Sequence, residues 1–253
     1  MDSDFEINVS VAMATYNGEK YIREQINSIL ENLNSNDELI ISDDGSKDQT
    51  LNIIKQYQIN DKRIKLIKGP KLGVKQNFAN AIQNTKGKYV FLADQDDIWM
   101  KDKVKIVIDT FKNNNSTLVI HDAQVFDSEN KKTLYESFFK YRNSGPGIIK
   151  NIYKNTYIGC CMAFDSKIKE KILPIPNDIE MHDQWIGIIN DLYYNKATFI
   201  RDKLIIYRRH LDNVSSLEKH NLVNMIKNRI RLIFKIIIGR KEKKFYKWKF
   251  VDV

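Results

Sequence analysis

The stretch Tyr89-Val90-Phe91-Leu92-Ala93-Asp94-Gln95-Asp96-Asp97-Ile98-Trp99 sets five apolar residues directly before three carboxylates. A short apolar run of this kind is typical of a strand buried on both faces of a parallel sheet. The carboxylates repel one another, and each loses hydration near a core. A hard divalent cation that carries phosphate oxygens would relieve this cost. The alternative is an Asp-rich turn whose side chains cap a helix beginning near Lys101.

Strand and helix patterns alternate from the N-terminus to this stretch. The sequence predicts strands at 9–14, 39–41, 64–67 and 89–93, and the apolar spacing predicts helices over 21–33, 53–57 and 74–84. This order is typical of the α/β class, with a mostly parallel sheet flanked by helices.

The pattern is less regular after Asp97. It predicts helices over 104–111 and 185–192 and strands at 118–121, 197–200 and 204–207. Residues 127–157 are polar and irregular, which is typical of a substrate-facing loop region. We interpret residues 1–220 as one domain and residues 221–253 as a basic amphipathic C-terminal extension.

The charge distribution separates these two parts. The chain has 253 residues and a net charge of +9, but residues 221–253 hold ten Lys or Arg against two acidic residues. They carry +8, so the domain is nearly neutral and nucleic acid is not an expected partner. Cys160 and Cys161 are adjacent and provide no disulfide framework, and the acidic N-terminus lacks a signal-peptide pattern. A cytoplasmic location is expected.

Three polar clusters follow predicted strands, at 14–18, 43–46 and 94–97. Ligands of open parallel sheets bind beyond the carboxyl ends of the strands, so these clusters predict one site. No strand is followed by G-x-G-x-x-G or G-x-x-x-x-G-K-[ST], which disfavours a dinucleotide oxidoreductase or a P-loop enzyme. Phosphates would instead be neutralised by a metal held on carboxylates.

Five motifs in chain order resemble family 2 glycosyltransferases with the GT-A fold. They are Thr15-Tyr16-Asn17, Ser42-Asp43-Asp44-Gly45-Ser46 with Asp48, Gly73-Val74 with Asn77, Asp94-Gln95-Asp96-Asp97, and His182-Asp183-Gln184-Trp185 followed by Tyr207-Arg208-Arg209-His210 with Asn213. The likeness covers roughly residues 7 to 215. The second half resembles bacterial rhamnosyltransferase-type enzymes of polysaccharide assembly. The implied fold has a Rossmann-like nucleotide-binding half and an acceptor-binding half.

The resemblance implies roles at the matching positions. Asp183 would be the catalytic base, and Asp96 and His210 would bind Mg²⁺ or Mn²⁺. Nucleotide-sugar contacts are implied for Thr15, Tyr16, Asn17, Asp44, Asn77, Asp94 and Gln95. Two positions depart from the common pattern: His182 stands where many relatives carry Glu, and Gln76 where many carry Arg.

The expected chemistry is displacement of a nucleoside diphosphate from a sugar with inversion. A metal stabilises the leaving oxygens, and one carboxylate accepts the proton of the incoming hydroxyl. Asp183 precedes an apolar helix pattern, so it could also be a plain N-cap, and His210 an ordinary surface histidine. Trp99 and Trp185 could stack on a sugar ring or pack in the core.

The resemblance implies transfer from dTDP-rhamnose or a UDP-hexose to a saccharide, which we expect to be lipid-linked, in synthesis of capsule, O-antigen or cell-wall polysaccharide. Two alternatives stay open: a sugar-1-phosphate nucleotidylyltransferase, and a non-catalytic basic module that binds membrane or nucleic acid. The first would be expected to have a Gly-rich basic loop after the first strand, which residues 14–19 do not form.

Residues 225–238 interleave bulky apolar and cationic side chains, with no apolar run long enough to span a bilayer. This pattern predicts a segment that lies on an anionic membrane, with Tyr246, Trp248 and Phe250 as interfacial anchors. The protein would then be peripheral on the inner face of the plasma membrane. The alternative is a core-packing helix with a solvated basic face.

Overall fold

The computed structural model describes residues 7–210 and 222–247, with the side chains of the last helix described at 225–237. The strands in these residues are β1 Val9–Thr15, β2 Glu38–Asp43, β3 Ile64–Lys68, β4 Tyr89–Ala93, β5 Ile98–Trp99, β6 Leu118–Asp127, β7 Lys132–Tyr135, β8 Met162–Asp165 and β9 Ala197–Arg209. The α-helices are α1 Ile22–Leu30, α2 Thr50–Asn60, α3 Val74–Gln83, α4 Lys103–Asn114, α5 Phe138–Arg142, α6 Ile148–Tyr153, α7 Lys169–Ile172, α8 His182–Tyr193 and α9 Leu222–Lys247.

The strands form one sheet in the order β3-β2-β1-β4-β8-β6-β9-β5, with β7 added beside β6. The first four strands of this order are parallel, as the alternating pattern predicts. β1 is buried along its whole length, because α-helices cover both faces of a parallel sheet. Beyond β4 the sheet is mixed: β8 is antiparallel to both β4 and β6, whereas β9 is parallel to β6.

Two parts of the second half differ from the prediction. The residues expected to form separate strands at 197–200 and 204–207 belong to the single strand β9, which keeps pairing with β6 through two register shifts. The region expected to be irregular contains β7, α5 and α6. These elements have four to six residues. They are too short for a hydrophobic period to develop in sequence.

The topology brings distant segments to one edge of the sheet. β1, β2 and β4 are parallel, so Thr15, Asp43 and Ala93 end at the same edge. β8 runs the opposite way, so its beginning and the preceding Gly159–Cys161 turn also lie there. β6 and β9 end on this side as well, which carries His210 to the acidic motif.

Helix α9 packs on the domain through part of its surface. Leu232 is 2% exposed, and Ile236 packs against the core. No helix in the described part of the chain is long and apolar enough to cross a bilayer. Asn213, Trp248 and Phe250, and the side chain of Tyr246, lie outside the described residues.

Candidate active site

The turn after β2 is built on the buried carboxylate of Asp43. Its oxygens accept hydrogen bonds from the Thr15 hydroxyl at 3.0 Å and from the backbone N–H groups of Gly45 and Ser46 at 3.0 and 2.9 Å. Asn77 of α3 donates to the carbonyls of Thr15 and Ser42 at 3.1 and 2.8 Å. Thr15 and Asn77 therefore lie beneath the edge and fix its shape.

Gln95 joins the acidic motif to the loop after β1. Its side-chain oxygen accepts the Tyr16 N–H at 2.9 Å, and its amide nitrogen donates to the Tyr16 carbonyl at 3.0 Å. A Cβ at Gly18 would lie 2.4 Å from the Gln95 oxygen. Glycine at position 18 is therefore needed for this paired contact, and the Tyr16 side chain is left 51% exposed at the edge.

Asn17 and Asp44 connect the remaining loops. Asn17 has a left-handed backbone with φ of 50°, which asparagine tolerates better than most residues, and its side-chain oxygen accepts the Lys47 N–H at 2.9 Å. The Asp44 carboxylate accepts the N–H groups of Lys71 and Gly73 at 2.6 and 2.8 Å. The structure thus places all three polar clusters on one edge, tied together by hydrogen bonds.

The acidic motif follows β4 at the edge of the sheet where β9 also ends. One donor atom each from Asp94, Asp97 and Cys160 falls within 4.8 Å of the others. Burial and the neighbouring carboxylates of Asp97, Asp96 and Asp183 raise the pKa of Asp94 well above its usual range. Burial, followed by the charge of Asp96, raises the pKa of Asp97 to about 7.

The described contacts of these carboxylates do not support the helix-capping alternative. Helix α4 begins at Lys103, and the N–H of Val104 donates to Asn32. Asp97 instead accepts the backbone N–H of Arg208 at 3.1 Å, so it fastens the end of β9 to the motif. This contact gives Asp97 a positioning role that the sequence did not indicate.

Asp96 and His210 meet although they are far apart in sequence. The Nε2 of His210 lies 2.8 Å from Oδ2 of Asp96, and both side chains are nearly buried. The His210 ring stacks on Tyr21, with centroids 4.6 Å apart, and the Arg208 guanidinium lies 5.1 Å from the same ring. His210 is thus held by its surroundings, unlike an ordinary surface histidine.

Lys103 places a buried positive charge beneath the acidic motif. Its Nζ donates to the Cys160 carbonyl at 3.1 Å and lies 3.8 Å from the centre of the Trp99 ring. Burial lowers its pKa to about 8, against the opposing effect of nearby groups including Asp97 and Asp94. Lys103 offsets part of the negative charge of the cluster.

The donor set fits a hard divalent cation. Carboxylate oxygens are the ligands that such cations prefer, and those of Asp94 and Asp97 lie within 4.8 Å of one another. Oδ2 of Asp97 is buried without a hydrogen-bond partner in the residues described. Burial keeps the pKa of Cys160 well above its usual range, so its protonated thiol is not a ligand for such an ion. Asp94 and Asp97 are therefore the clustered carboxylates that fit such an ion, and Asp96, paired with His210, adds a third negative charge beside Asp97.

Asp183 lies in the first turn of α8 and is 7% exposed. Its carboxylate accepts the Gln184 N–H at 2.6 Å and the Asn155 side-chain amide at 3.0 Å. Burial raises its pKa to about 6, and hydrogen bonds from Gln184, Asn155 and the Gly159 N–H oppose that rise. A buried carboxyl whose pKa lies near neutrality is suited to accept a proton.

The two positions that depart from the family pattern take different roles. The His182 ring stacks on Phe78 with centroids 4.1 Å apart, and burial lowers its pKa to about 3, so it is neutral. Neither of its ring nitrogens has a hydrogen-bond partner among the residues described. Gln76 donates to the Ile175 carbonyl at 2.8 Å and helps hold the segment before α8.

Both tryptophans near the acidic motifs have core contacts. Trp99 is 4% exposed and packs on Phe91 and Lys103, and Trp185 donates its indole N–H to the Ile172 carbonyl at 2.8 Å. These contacts favour the core interpretation over sugar stacking.

Two residues that contact the site, Asn155 and Lys103, are not among the site residues predicted from the sequence. Asn155 lies in a segment expected to be irregular, and its role depends on α8 reaching it from 28 residues away in the chain. The signal for Lys103 was present: it falls on the same helical face as Val104, Val107 and Phe111, where a lysine needs an acidic neighbour or polar partner.

The sheet, its polar edge and the covering helices define an α/β protein of the GT-A type, and sequence comparison specifies the family. The Glycosyl transferase family 2 profile matches residues 10–173. The chain is 31% identical over 242 residues to the dTDP-rhamnosyl transferase RfbG of Shigella flexneri, a match that covers 86% of this chain and 80% of RfbG. The chain belongs to glycosyl transferase family 2.

Two further similarities extend this result. WfgD of Escherichia coli, a UDP-Glc:alpha-D-GlcNAc-diphosphoundecaprenol beta-1,3-glucosyltransferase, is 27% identical over 159 residues, which are 59% of this chain and 61% of WfgD. The crystal structure of S. aureus TarS residues 1–349 with UDP-GlcNAc superposes with a TM-score of 0.70 at 20% identity, covering 90% of this chain and 66% of that one. At this identity the likeness shows the fold.

Proposed function

We propose that the protein is a metal-dependent, inverting glycosyltransferase that moves a sugar from a nucleotide-diphospho-sugar to a saccharide. The observation that carries this proposal is the juxtaposition of Asp183 with the acidic motif. The Gly159 N–H binds Asp183, while the next residue, Cys160, lies within 4.8 Å of Asp94 and Asp97. A base and a charge-stabilising cluster therefore flank one dipeptide.

The residues divide the chemistry between them. Asp183 accepts the proton of the acceptor hydroxyl as that oxygen attacks the anomeric carbon, and the bond to the diphosphate oxygen breaks. Mg²⁺ or Mn²⁺, held by Asp94, Asp96, Asp97 and His210, would neutralise the charge on the leaving diphosphate. A single base acting in one displacement gives inversion. Tyr16, exposed at the edge, is positioned for contact with the nucleoside.

The relatives support the substrate classes. RfbG is a dTDP-rhamnosyl transferase, and the TarS structure contains UDP-GlcNAc. We propose dTDP-rhamnose or a UDP-hexose as donor. WfgD acts on a diphosphoundecaprenol-linked sugar, which supports a lipid-linked acceptor in synthesis of a bacterial surface polysaccharide such as capsule, O-antigen or cell-wall polymer. A cytoplasmic, peripheral-membrane location belongs to the same proposal.

No observation favours the alternative functions. Residues 14–19, at the end of β1, do not form the Gly-rich basic loop expected of a nucleotidylyltransferase. A purely non-catalytic basic module would leave the hydrogen-bonded edge and the buried carboxylates without a role. Membership of family 2 also favours transfer of a sugar.

Replacing Asp183 tests the proposal. We expect Asp183→Asn to bind nucleotide-sugar nearly as the wild type does and to lose transfer by about 10²-fold or more, the scale of a lost general base. Asp109→Asn, the same change at an exposed carboxylate of α4, is the matched control. The readouts are donor binding by calorimetry and product formation with the anomeric configuration read by NMR. Unchanged turnover in Asp183→Asn, or a product of retained configuration, would contradict the mechanism.

A further inference from the structure

Helix α9 has two faces whose residues recur at the same spacing; the side chains of one face are buried or half-buried, and those of the other are exposed. Met225, Arg229, Leu232 and Ile236 are buried or half-buried and follow one another at intervals of four, three and four residues. Ile226, Ile230, Ile233 and Ile237 repeat that spacing one position later. One residue rotates an α-helix by about 100°, so the second set forms a separate face.

The second face is apolar and exposed. We call Ile226, Ile230, Ile233, Phe234 and Ile237 the α9 apolar stripe; each is exposed by between 42% and 61%. Such a contiguous row of large apolar side chains differs from single surface residues and marks an interaction site. The other, packing face of α9 already contacts the core of the domain through Leu232 and Ile236. The stripe is therefore a separate surface that the core does not cover.

Positive charge borders the stripe on the side away from the packing face. The described part of α9 carries Lys227, Arg229, Arg231 and Lys235 and contains no acidic residue between positions 225 and 237. On a helical projection Lys227 and Arg231 fall on the side of the stripe away from the packing face. Lys235 also makes an ion pair with Asp178 at 3.3 Å.

Helix α6 continues this character beside α9. Arg229 donates to the Tyr153 carbonyl, and its guanidinium carbon lies 4.9 Å from the centre of the Tyr153 ring. Tyr153 and Ile149, one turn earlier, are 71% and 85% exposed. The sequence between Glu136 and Asp165 contains four cations and no acidic residue: Lys140, Arg142, Lys150 and Lys154.

This surface is connected to the proposed base. Asn155, two residues after the end of α6, donates to Asp183 at 3.0 Å. Gln184, the neighbour of Asp183, donates to the carbonyl of Asn151 within α6 at 2.7 Å. A lipid surface against α6 and α9 would therefore lie one short helix away from the position where an acceptor hydroxyl must be deprotonated.

We propose that the α9 apolar stripe and the adjoining basic residues of α6 and α9 dock on an anionic lipid bilayer and present membrane-embedded acceptors to Asp183. This inference deepens the proposed function and rests on it for the acceptor alone. An apolar row bordered by cations matches the acyl and headgroup layers of an anionic leaflet. A protein partner would require complementary acidic and apolar patches, and a second copy of this basic surface would meet its own charge.

Flotation with vesicles tests the docking. The probes are phosphatidylcholine vesicles and the same vesicles with roughly one third phosphatidylglycerol. We expect the full chain to float with the anionic vesicles, and Ile230→Asp/Ile233→Asp and Lys227→Glu/Arg231→Glu each to weaken that partition at least ~10-fold. Matched controls are Ile59→Asp on α2 and Lys55→Glu/Lys112→Glu on α2 and α4, all at exposed positions. Wild-type binding by either of these two double variants of α9, or no flotation of the wild type, would overturn the proposal.

Two further measurements separate the possible failures. UDP and dTDP with Mn²⁺ should shift the melting temperature of the wild type and all variants equally, because the substituted residues lie outside the nucleotide edge. If no nucleotide shifts any of them while flotation persists, the proposed function fails and the docking stands. Sedimentation tests whether the face binds a second copy of the chain. If the wild type is a dimer that Ile230→Asp/Ile233→Asp abolishes, and the wild type does not float with anionic vesicles, the face belongs to a second copy and the proposal is overturned.

Discussion

At Asp183, burial and hydrogen bonding act on the pKa in opposite directions. Burial is the larger effect and places the pKa at about 6, while Gln184, Asn155 and Gly159 donate to the ionised carboxylate and limit the rise. Below that pH the carboxyl is protonated in the folded protein and cannot accept the acceptor proton. Asp183 therefore contributes to the acid side of the pH–rate profile.

We expect kcat/KM to fall below about pH 6 in the wild type. Asn155→Ala removes a donor to the ionised form, so the acid limb should move to higher pH, with a larger loss at pH 6.5 than at pH 8. The measurement is a pH profile of transfer beside Asn113→Ala, an exposed asparagine of α4. A uniform loss at every pH would assign Asn155 a merely structural role.

The ionisation of Asp97, a buried carboxyl, lowers the stability of the folded protein. Its folded pKa of about 7 exceeds the unfolded value near 4, so the folded state binds more protons between these pH values. This carboxyl therefore makes the metal-free protein less stable as the pH rises from about 4 to 7, and the loss is complete above 7.

Asp97→Asn should consequently melt a few degrees higher than the wild type at pH 8 in EDTA, since about 1 kcal/mol corresponds to roughly 2–4 °C in a domain of this size. The asparagine oxygen can still accept the Arg208 N–H. The same variant should gain less from added Mn²⁺ because one ligand charge is lost. A lower melting temperature in EDTA would show that the ionised carboxylate stabilises the apo site.

At the scale of elements, loops are positioned by side chains from other loops. The Gln95 side chain pairs with the Tyr16 backbone across 79 residues of sequence, and Asp44 holds the loop before α3. The strands supply a rigid base, because β1, β2 and β4 are buried along their whole lengths. Nucleotide binding should therefore be more sensitive than stability to changes in these loop contacts.

Gly18→Ala tests this separation. Its Cβ would come within 2.4 Å of Oε1 of Gln95, an atom at the end of a flexible side chain. We expect the chain to fold with little loss of melting temperature while nucleotide affinity falls several-fold, as in Gln95→Ala, where the same pair of hydrogen bonds is absent. Calorimetric titration of UDP or dTDP with Mn²⁺ measures the effect. Unchanged affinity in both variants would dissociate the paired contact from nucleotide binding.

At the scale of the molecule, the two halves of the sheet meet at the candidate metal site. Asp96 follows β4 of the parallel half, and His210 follows β9 of the mixed half, 114 residues later. A cation bound between them should stabilise the whole domain against unfolding by mass action.

We therefore expect Mn²⁺ or Mg²⁺ to raise the melting temperature in a concentration-dependent way, and nucleotide-sugar to raise it further only when metal is present. His210→Ala and Asp96→Asn should lose most of the metal-dependent shift in melting temperature. A second histidine, His121, is buried, so replacing it would disturb the fold and could not serve as a control. Asp109→Asn provides the control instead. Transfer that continues in excess EDTA would contradict metal dependence.

Sequence alone determined the parallel half of the fold and the polar edge above it. Apolar runs such as Tyr89–Ala93 bury both strand faces, and each ends in polar residues whose position on the edge follows from the parallel order. The motifs also indicated the family. These features are local in the chain, so periodicity and strand ends suffice to predict them.

Tertiary structure decided what those residues meet. The antiparallel insertion of β8 brings Gly159 and Cys160 between Asp183 and the acidic motif, and the long pairing of β9 with β6 delivers His210 to Asp96. The same packing turned one apolar side of α9 inward and left the neighbouring side exposed. These outcomes depend on strand order and helix rotation across more than a hundred residues, which the local hydrophobic pattern does not specify.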